Sequence, residues 1–330
     1  MAPSPWTNST AARAAHGTVI SRSGTFRTLA YSASYERNHG CDSLKLTPSL
    51  PQIGAADVRW RANLDLSFVR RENRTLLAAK SHRGPLQVQK ALYPDGPGIC
   101  HVTVLHPPGG VAGGDALAIA ARLDSGSRVC LTTCGATKWY RCPRAESEQQ
   151  LHFSVEAGAA LEWLPRESIL FDGSKPRMQL DVELAPAAQF LGWEILCFGR
   201  RASGEAWHTG GLRLRTRILQ AGRPLWCESA NILAGSGFES SPVGLGGYSV
   251  SGTFVAAGSG VSAELLAACR TTVPSGGDSQ AGVTTLPSVL LARYLGHSSQ
   301  DAFGWFTSLW TVLRPALLRQ PAVAPRLWAC

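Results

Sequence analysis

The chain has 330 residues, of which 44% are hydrophobic and 17% charged, and it carries a formal net charge of +9. These proportions are typical of a globular protein with a core large enough for one large domain or two small ones. The arginines are spread singly along the chain rather than gathered in blocks. This distribution favours a solvated or partner-facing surface over a nucleic-acid site.

The cysteines and the apolar runs indicate the cellular compartment of the chain. Nine cysteines at irregular spacing do not form a disulfide framework, and their odd number leaves one over. No apolar run approaches the roughly 18 residues of a membrane span. No basic segment followed by an apolar one marks a secretory signal. We therefore expect a cytoplasmic protein in a reducing compartment, without membrane contact.

Residues 1–55 differ in composition from the rest of the chain. They are rich in serine, threonine and alanine, contain only Glu36 and Asp42 as acids, and show no sustained apolar period. Such a composition is typical of disorder. We predict a disordered N-terminal extension over residues 1–55 and a β domain over residues 56–330.

From residue 60 onward the pattern is typical of β-structure. Residues 64–68, 178–184 and 212–218 alternate between apolar and polar side chains, as half-buried strands do. Small-residue turns recur about every thirty residues, each followed by a new apolar strand, which favours stacked β-coils or a layered sandwich. The predicted fold is mainly β, a stack of β-layers resembling a β-helix.

The C-terminal third has a different periodicity. Residues 262–270 and 300–313 show the apolar spacing of helices, and Pro315 is expected to end the second one. We therefore predict that the β body carries two or three α-helices near the C-terminus.

The loop at residues 106–115 reads HPPGGVAGGD and lies between the apolar segments 101–105 and 116–123. A phosphate-binding loop requires Gly-x4-Gly-Lys-Ser/Thr at the start of a helix. Here Asp115 occupies that end and a strand follows, so we exclude a nucleotide site. Catalysis by Ser-His-Asp also lacks support, because no Gly-x-Ser-x-Gly elbow is present and His106 suits a loop cap better than a general base.

A zinc site is a weaker interpretation than buried thiols for the clustered cysteines. Cys130, Cys134 and Cys142 lie close together in sequence, with His152 beyond them. Their intervals do not form the paired C-x2-C arrangement that directs two thiolates at one metal. We therefore expect buried, unligated thiols.

Three glutamates lie among apolar residues on predicted strands: Glu162, Glu194 and Glu228. Taken singly, such a carboxylate more often faces solvent than the interior. A buried one must be paired, because burial of an isolated charge is costly. Together with Asp115, several inward carboxylates would line a polar path suited to divalent cations.

The ordered motifs of the chain resemble those of one family, the urease accessory proteins called UreD or UreH. The resemblance covers residues 58–330 without large gaps. Its matching motifs are GPLQVQ (84–89), residues 101–115, TTCGATKWYR (132–141), LEWLPRE (161–167), FDG (171–173), GWEILCFGR (192–200), LRP (313–315) and PRLW (325–328).

The resemblance implies a non-enzymatic scaffold for urease maturation. Proteins of this family bind apo-urease on one side and the accessory protein UreF on the other, and UreF holds the GTPase UreG. The implied fold is a β-helix-like stack with a few helices, acting within a hetero-oligomeric complex. An internal path would conduct nickel, so we expect transient Ni²⁺ and no tightly bound cofactor.

Carried over by position, the residues that would line this path are Asp115, Thr137, Glu194 and Glu228. Carboxylates and a hydroxyl would hold Ni²⁺ weakly, whereas a closed thiolate site would trap it. Two other hypotheses stay open at this point. One is a metal-dependent enzyme that uses Asp115, Glu194 and His106 around a stable ion, and the other is a basic protein that binds nucleic acid through its arginines.

Overall fold

The computed structural model describes residues 15–20, 26–31, 60–142, 144–258 and 260–329. The predicted disordered extension falls mostly outside these residues. Only the backbone of two short strands within it is described, so the extension and the boundary at residue 56 stay predictions. In the part of the chain that is described, no helix is both long and apolar enough to cross a membrane.

The described residues form twenty β-strands and two α-helices. The strands are β1 (Ala15–Ile20), β2 (Phe26–Tyr31), β3 (Arg61–Arg71), β4 (Arg74–Arg83), β5 (Gln87–Val88), β6 (Cys100–Leu105), β7 (Gly110–Val111), β8 (Ala116–Leu123), β9 (Arg128–Thr133), β10 (Thr137–Trp139), β11 (Ser147–Val155), β12 (Ala160–Leu164), β13 (Ser168–Leu170), β14 (Pro176–Leu184), β15 (Gln189–Phe198), β16 (Gly211–Gln220), β17 (Arg223–Leu233), β18 (Val250–Ala257), β19 (Gln280–Leu286) and β20 (Val289–Gly296). The helices are α1 (Ala263–Thr271) and α2 (Ser299–Leu318).

Stacked β-coils form the body of the molecule. The chain alternates between two sheets, so that β6, β9, β12 and β15 pair in parallel in the first sheet. In the second sheet β3, β8, β11, β14 and β16 also pair in parallel. Val129, Leu161 and Phe190 are aligned on neighbouring strands, which gives a coil of about thirty residues. The prediction of a mainly β, β-helix-like stack is confirmed.

Side chains from the inner faces of the two sheets meet in the main core. On β3 the buried residues alternate with partly exposed ones, as expected of a strand with one face on the core. Phe68, Trp139, Phe153 and Phe190 are among the fully buried side chains of this core. Burial of aromatic side chains of this size is the main source of stability in such a body.

A second hydrophobic layer covers the outer face of the first sheet. There the antiparallel strands β18, β20 and β19 extend the sheet beyond β15. Helix α2 packs on β15, β18 and β20. Trp193 of β15 contacts Phe254, Phe306 and Trp328, with ring centroids 5.6–6.1 Å apart. Strand β15 therefore has a buried layer on both of its faces.

The two helices begin as the apolar spacing predicts. Ser262 caps α1 by accepting a hydrogen bond from the Leu265 amide, and Ser298 caps α2 in the same way. The prediction that Pro315 ends the second helix is wrong, because α2 runs to Leu318. Proline removes only one backbone donor near the end of the helix. Burial of Arg314 and Leu318 holds the last turn in place.

Candidate functional site

A narrow, partly open cavity lies between the two sheets. Strands β15 and β18 of the first sheet and β11, β14, β16 and β17 of the second contribute its walls. The walls are largely apolar, with Trp163, Trp193 and Trp226 among them. Its polar lining side chains are those of Thr133, Thr137, Gln149, Arg166, Ser168, Gln179, Glu194, Thr216, Glu228 and Thr253. An apolar cavity with a few convergent polar groups is the usual form of a binding site.

Glu194 reaches the cavity because β15 has two buried faces. Its neighbours Trp193 and Ile195 pack in the layer beneath α2, so the alternation of the strand turns Glu194 toward the other side. Burial raises the pKa of the Glu194 carboxyl to about 7, and the negative charge of Glu228 acts in the same direction. Arg293 opposes this shift. The carboxyl is therefore partly protonated near neutral pH.

Glu228 enters the same cavity from the opposite sheet, on β17. Its Oε1 atom accepts a hydrogen bond from Arg293 Nη2 at 2.8 Å, and Arg293 Nη1 donates to Thr253 Oγ1 at 2.6 Å. The Glu228 side chain is only 8% exposed. Glu228 therefore faces inward, as its assignment to the path requires, whereas a strand carboxylate taken singly more often faces solvent; the guanidinium offsets the cost of burying its charge.

Thr137, at the start of β10, also lines the cavity, so the structure brings together three of the four residues assigned to the path. Within the described ranges, no group of three or more His, Cys, Asp or Glu side chains is placed to hold a metal ion. The three residues nevertheless place carboxylate and hydroxyl oxygens, the ligands of hard and borderline cations, around one space. Their role as nickel contacts stays a prediction.

Asp115 does not line this cavity. Its Oδ1 atom accepts a hydrogen bond from the Trp60 amide and its Oδ2 atom one from the Ala112 amide, both at 3.1 Å. The carboxylate thus satisfies one backbone donor of its own loop and one of the residue that precedes β3. The trio of the enzyme hypothesis is not gathered either, since Glu194 lies in the cavity while His106 and Asp115 lie on the loop.

The loop at residues 106–115 is a corner of the first coil. The ring of Tyr140 covers Gly110, and Cys142 Sγ lies where a side chain on residue 113 would stand. Any Cβ atom at Gly110 or Gly113 would collide with these groups. Close packing between successive coils therefore explains Gly110 and Gly113, whereas Gly109 and Gly114 have positive φ angles that favour glycine.

We expect Asp115→Ala to destabilise the fold by about 1 kcal/mol, because two backbone amides lose their acceptor at a site that water can reach. Urea denaturation of the purified chain measures this loss. An unchanged free energy of unfolding in Asp115→Ala would contradict this structural role.

A buried ionic network surrounds Glu162. The expectation that this carboxylate faces solvent is wrong. Its Oε1 atom accepts hydrogen bonds from Trp310 Nε1 at 2.6 Å and from Arg314 Nε at 3.0 Å. Arg314 Nη2 donates to Asp95 Oδ2 at 2.6 Å, and His101 Nε2 lies 3.1 Å from the same oxygen. Burial lowers the pKa of His101. No local pattern in the sequence indicates this network, because Asp95 and Arg314 are 219 residues apart.

The clustered cysteines do not form a common site. Cys130 is fully buried, and burial raises the pKa of its thiol well above the usual value. Cys134 is exposed, and Cys142 lies against the loop at Gly113. The expectation of a buried thiol is confirmed for Cys130 and wrong for Cys134.

Comparison with known proteins agrees with the motifs. The model of the UreD urease accessory protein family matches residues 61–329. The chain is 48% identical over 272 residues to the urease accessory protein UreD of Dechloromonas aromatica, covering 82% of this chain and 94% of the relative. It is 46% identical over 273 residues to UreD of Methylobacillus flagellatus, covering 83% and 95%. It is 43% identical over 289 residues to UreD of Ralstonia nicotianae, covering 86% and 98%. The chain therefore belongs to the UreD family of urease accessory proteins.

Proposed function

We propose that this chain is a non-enzymatic urease maturation factor that conducts Ni²⁺ through its cavity toward the active site of apo-urease. The observation that carries the proposal is the convergence of Glu194, Glu228 and Thr137 on one partly open cavity. Oxygen ligands of this kind suit a cation that must enter and leave, because they do not enclose it as four thiolates or imidazoles would.

The proposed chemistry is transient contact rather than coordination in a closed site. Glu194 offers a carboxylate whose pKa is close to neutral, so protons compete with the cation for its oxygens. Glu228 is already paired with Arg293. A hydrated nickel ion would therefore keep part of its water shell and exchange readily as it passes. The chain requires no tightly bound cofactor in this scheme.

The proposed setting is a cytoplasmic hetero-oligomeric complex. In it the chain binds apo-urease directly and UreF on another face, and UreG joins through UreF. The stacked coils suit this role because each coil is fixed by its neighbours in two sheets. Such a body holds the cavity walls at constant spacing between two partners.

The test is activation of apo-urease with Glu194→Gln, a variant that keeps the shape of the side chain and removes its charge. We expect the nickel content of urease and its activity to fall by on the order of tenfold, the scale seen when a group that supports metal binding is lost. The matched control is Glu183→Gln, on an exposed position of β14, which should activate normally. Full activation by Glu194→Gln would contradict the proposal that nickel passes through this cavity.

Co-purification separates transfer from assembly. Both variants should recover apo-urease and the UreF–UreG complex as the unchanged chain does. Loss of these partners in Glu194→Gln alone would instead assign the residue to assembly. Failure of the unchanged chain to bind either partner would overturn the proposed function as a whole.

A further inference from the structure

Arg293 stands directly behind the two cavity carboxylates. In the first sheet, Glu194 on β15 is aligned with Thr253 on β18, and Thr253 is aligned with Arg293 on β20. The guanidinium reaches across the space between the sheets, donating to Thr253 Oγ1 at 2.6 Å and to Glu228 Oε1 at 2.8 Å. It also lies over the ring of Trp226, 5.7 Å from the centroid. Arg293 is thus held by contacts to both sheets.

The charges around the cavity determine what it would retain. With both carboxylates ionised, Glu194 and Glu228 contribute two negative charges, and Arg293 returns one positive charge to Glu228. Arg166 adds a second guanidinium to another part of the wall, where it lies 3.7 Å from Glu167 and 4.4 Å over the ring of Phe303. Without Arg293, two facing carboxylates and the hydroxyls of Thr137 and Thr253 would form an oxygen-rich site for a divalent cation.

We infer that Arg293 is the positioning residue that keeps the cavity from trapping divalent cations, by withholding Glu228 and by adding a positive charge beside Glu194. This inference rests on the proposed function, in which an ion must leave the cavity as readily as it enters. The fork of the guanidinium bonds Glu228 and Thr253 at once and fixes the Glu228 carboxylate toward β20. Glu194 is then the one carboxylate of the two that is left to meet the ion.

The ionic network around Arg314 differs from the Arg293–Glu228 pair in its position relative to the cavity. Asp95 and Glu162 each bond Arg314, all three side chains are fully or almost fully buried, and the residues that line the cavity do not include them. Their charges hold the fold together. Arg293 and Glu228, by contrast, keep 17% and 8% of their side-chain surface exposed, and Glu228 forms part of the cavity wall.

The experiment measures Ni²⁺ binding to the purified full chain by equilibrium dialysis. Arg293→Gln should bind Ni²⁺ about tenfold or more tightly than the unchanged chain, because a unit positive charge near the ion is removed in a medium of reduced dielectric constant. Arg293→Lys, which keeps the charge, should stay close to the unchanged chain. Arg293→Gln combined with Glu194→Gln should lose the gain. A folded Arg293→Gln chain that binds Ni²⁺ no more tightly would overturn the inference.

Glu228→Gln provides a second arm that keeps the inference testable if Arg293→Gln does not fold. It frees the guanidinium from Glu228 and leaves its charge facing Glu194, so Ni²⁺ binding should weaken several-fold. Unchanged or tighter binding in Glu228→Gln would contradict the role of Arg293. Thermal denaturation of each variant must verify folding, because an unfolded chain would expose cysteines and histidines that also bind Ni²⁺.

The two proposals fail in different ways. If Glu194→Gln impairs urease activation while Arg293→Gln leaves Ni²⁺ affinity unchanged, the result supports the nickel path and contradicts the role of Arg293. If Arg293→Gln binds Ni²⁺ tightly but Glu194→Gln activates urease fully, the cavity is a cation site that does not serve maturation. When both proposals hold, Arg293→Gln should also lower the nickel content of urease, because the chain retains the ion.

Discussion

Replacement of Arg314 by methionine is expected to lower the free energy of unfolding by about 3–5 kcal/mol, because it leaves two buried carboxylates without a cation. The guanidinium is fully buried. It bonds Glu162 through Nε at 3.0 Å and Asp95 through Nη2 at 2.6 Å. Its Nη1 atom donates to the Pro321 carbonyl, and its plane lies over the Trp310 ring, 4.9 Å from the centroid.

These contacts join parts of the chain that lie far apart in sequence. Arg314 belongs to α2 and Glu162 to β12 of the coil stack. Asp95 precedes β6, and Pro321 lies in the C-terminal segment after α2. Methionine fills much of the same volume but donates no hydrogen bond, so the loss measures the unpaired charges rather than a cavity.

Urea denaturation of the full chain tests this prediction. Arg122→Met, at an exposed position of β8, is the matched control and should change stability by less than about 0.5 kcal/mol. Combining Arg314→Met with Glu162→Gln should cost less than the sum of the single changes, because the second change removes one of the stranded charges. A loss below about 1 kcal/mol for Arg314→Met would mean that water or a rearranged side chain replaces the guanidinium.

The architecture of the coil stack is readable from the sequence because its signals are local. Alternation over residues 178–184 and 212–218 and turns about thirty residues apart describe one coil at a time. Neighbouring coils repeat the same arrangement, so the stack follows from its unit. The prediction from Pro315 was wrong because the helix propensity of one residue takes no account of tertiary packing. Burial of Leu318 stabilises the last turn of α2.

The environment of the strand carboxylates was not readable from the sequence. Alternation shows which side chains share a face, but the first sheet is covered on both faces, by the coil core and by the α2 layer. Glu162 therefore faces α2 and Glu194 faces the cavity, where a sheet with one free face would have placed such residues in solvent. Their partners lie on distant strands and helices, as with Glu228 and Arg293, which are 65 residues apart. Their apolar neighbours drew attention to all three glutamates, and the family resemblance then assigned Glu194 and Glu228, but not Glu162, to a path.

Glu194→Gln is expected to raise the stability of the chain at pH 8 by up to about 3 kcal/mol and to leave it almost unchanged at pH 4.5. The folded chain holds the Glu194 carboxyl at a pKa of about 7, above its ordinary value of 4.5. Between these two values the folded state binds this proton more firmly than the unfolded state does. The stability contributed by the protonated carboxyl is therefore full below pH 4.5 and is lost as the pH rises to 7.

Glutamine cannot lose that proton, so the difference in unfolding free energy between Glu194→Gln and the unchanged chain should grow across this pH range and level off above pH 7. Urea denaturation at pH 4.5, 6, 7 and 8 measures it, with the exposed site Glu183→Gln as the control whose difference stays small. Glu228→Gln removes the like charge that raises the pKa of Glu194. In a chain that carries Glu228→Gln, the effect of adding Glu194→Gln on the unfolding free energy should therefore level off at a lower pH. A constant difference between Glu194→Gln and the unchanged chain at all four pH values would mean that the carboxyl is ionised in ordinary contact with water. The cavity would then offer a passing cation a fully charged ligand rather than one it must first deprotonate.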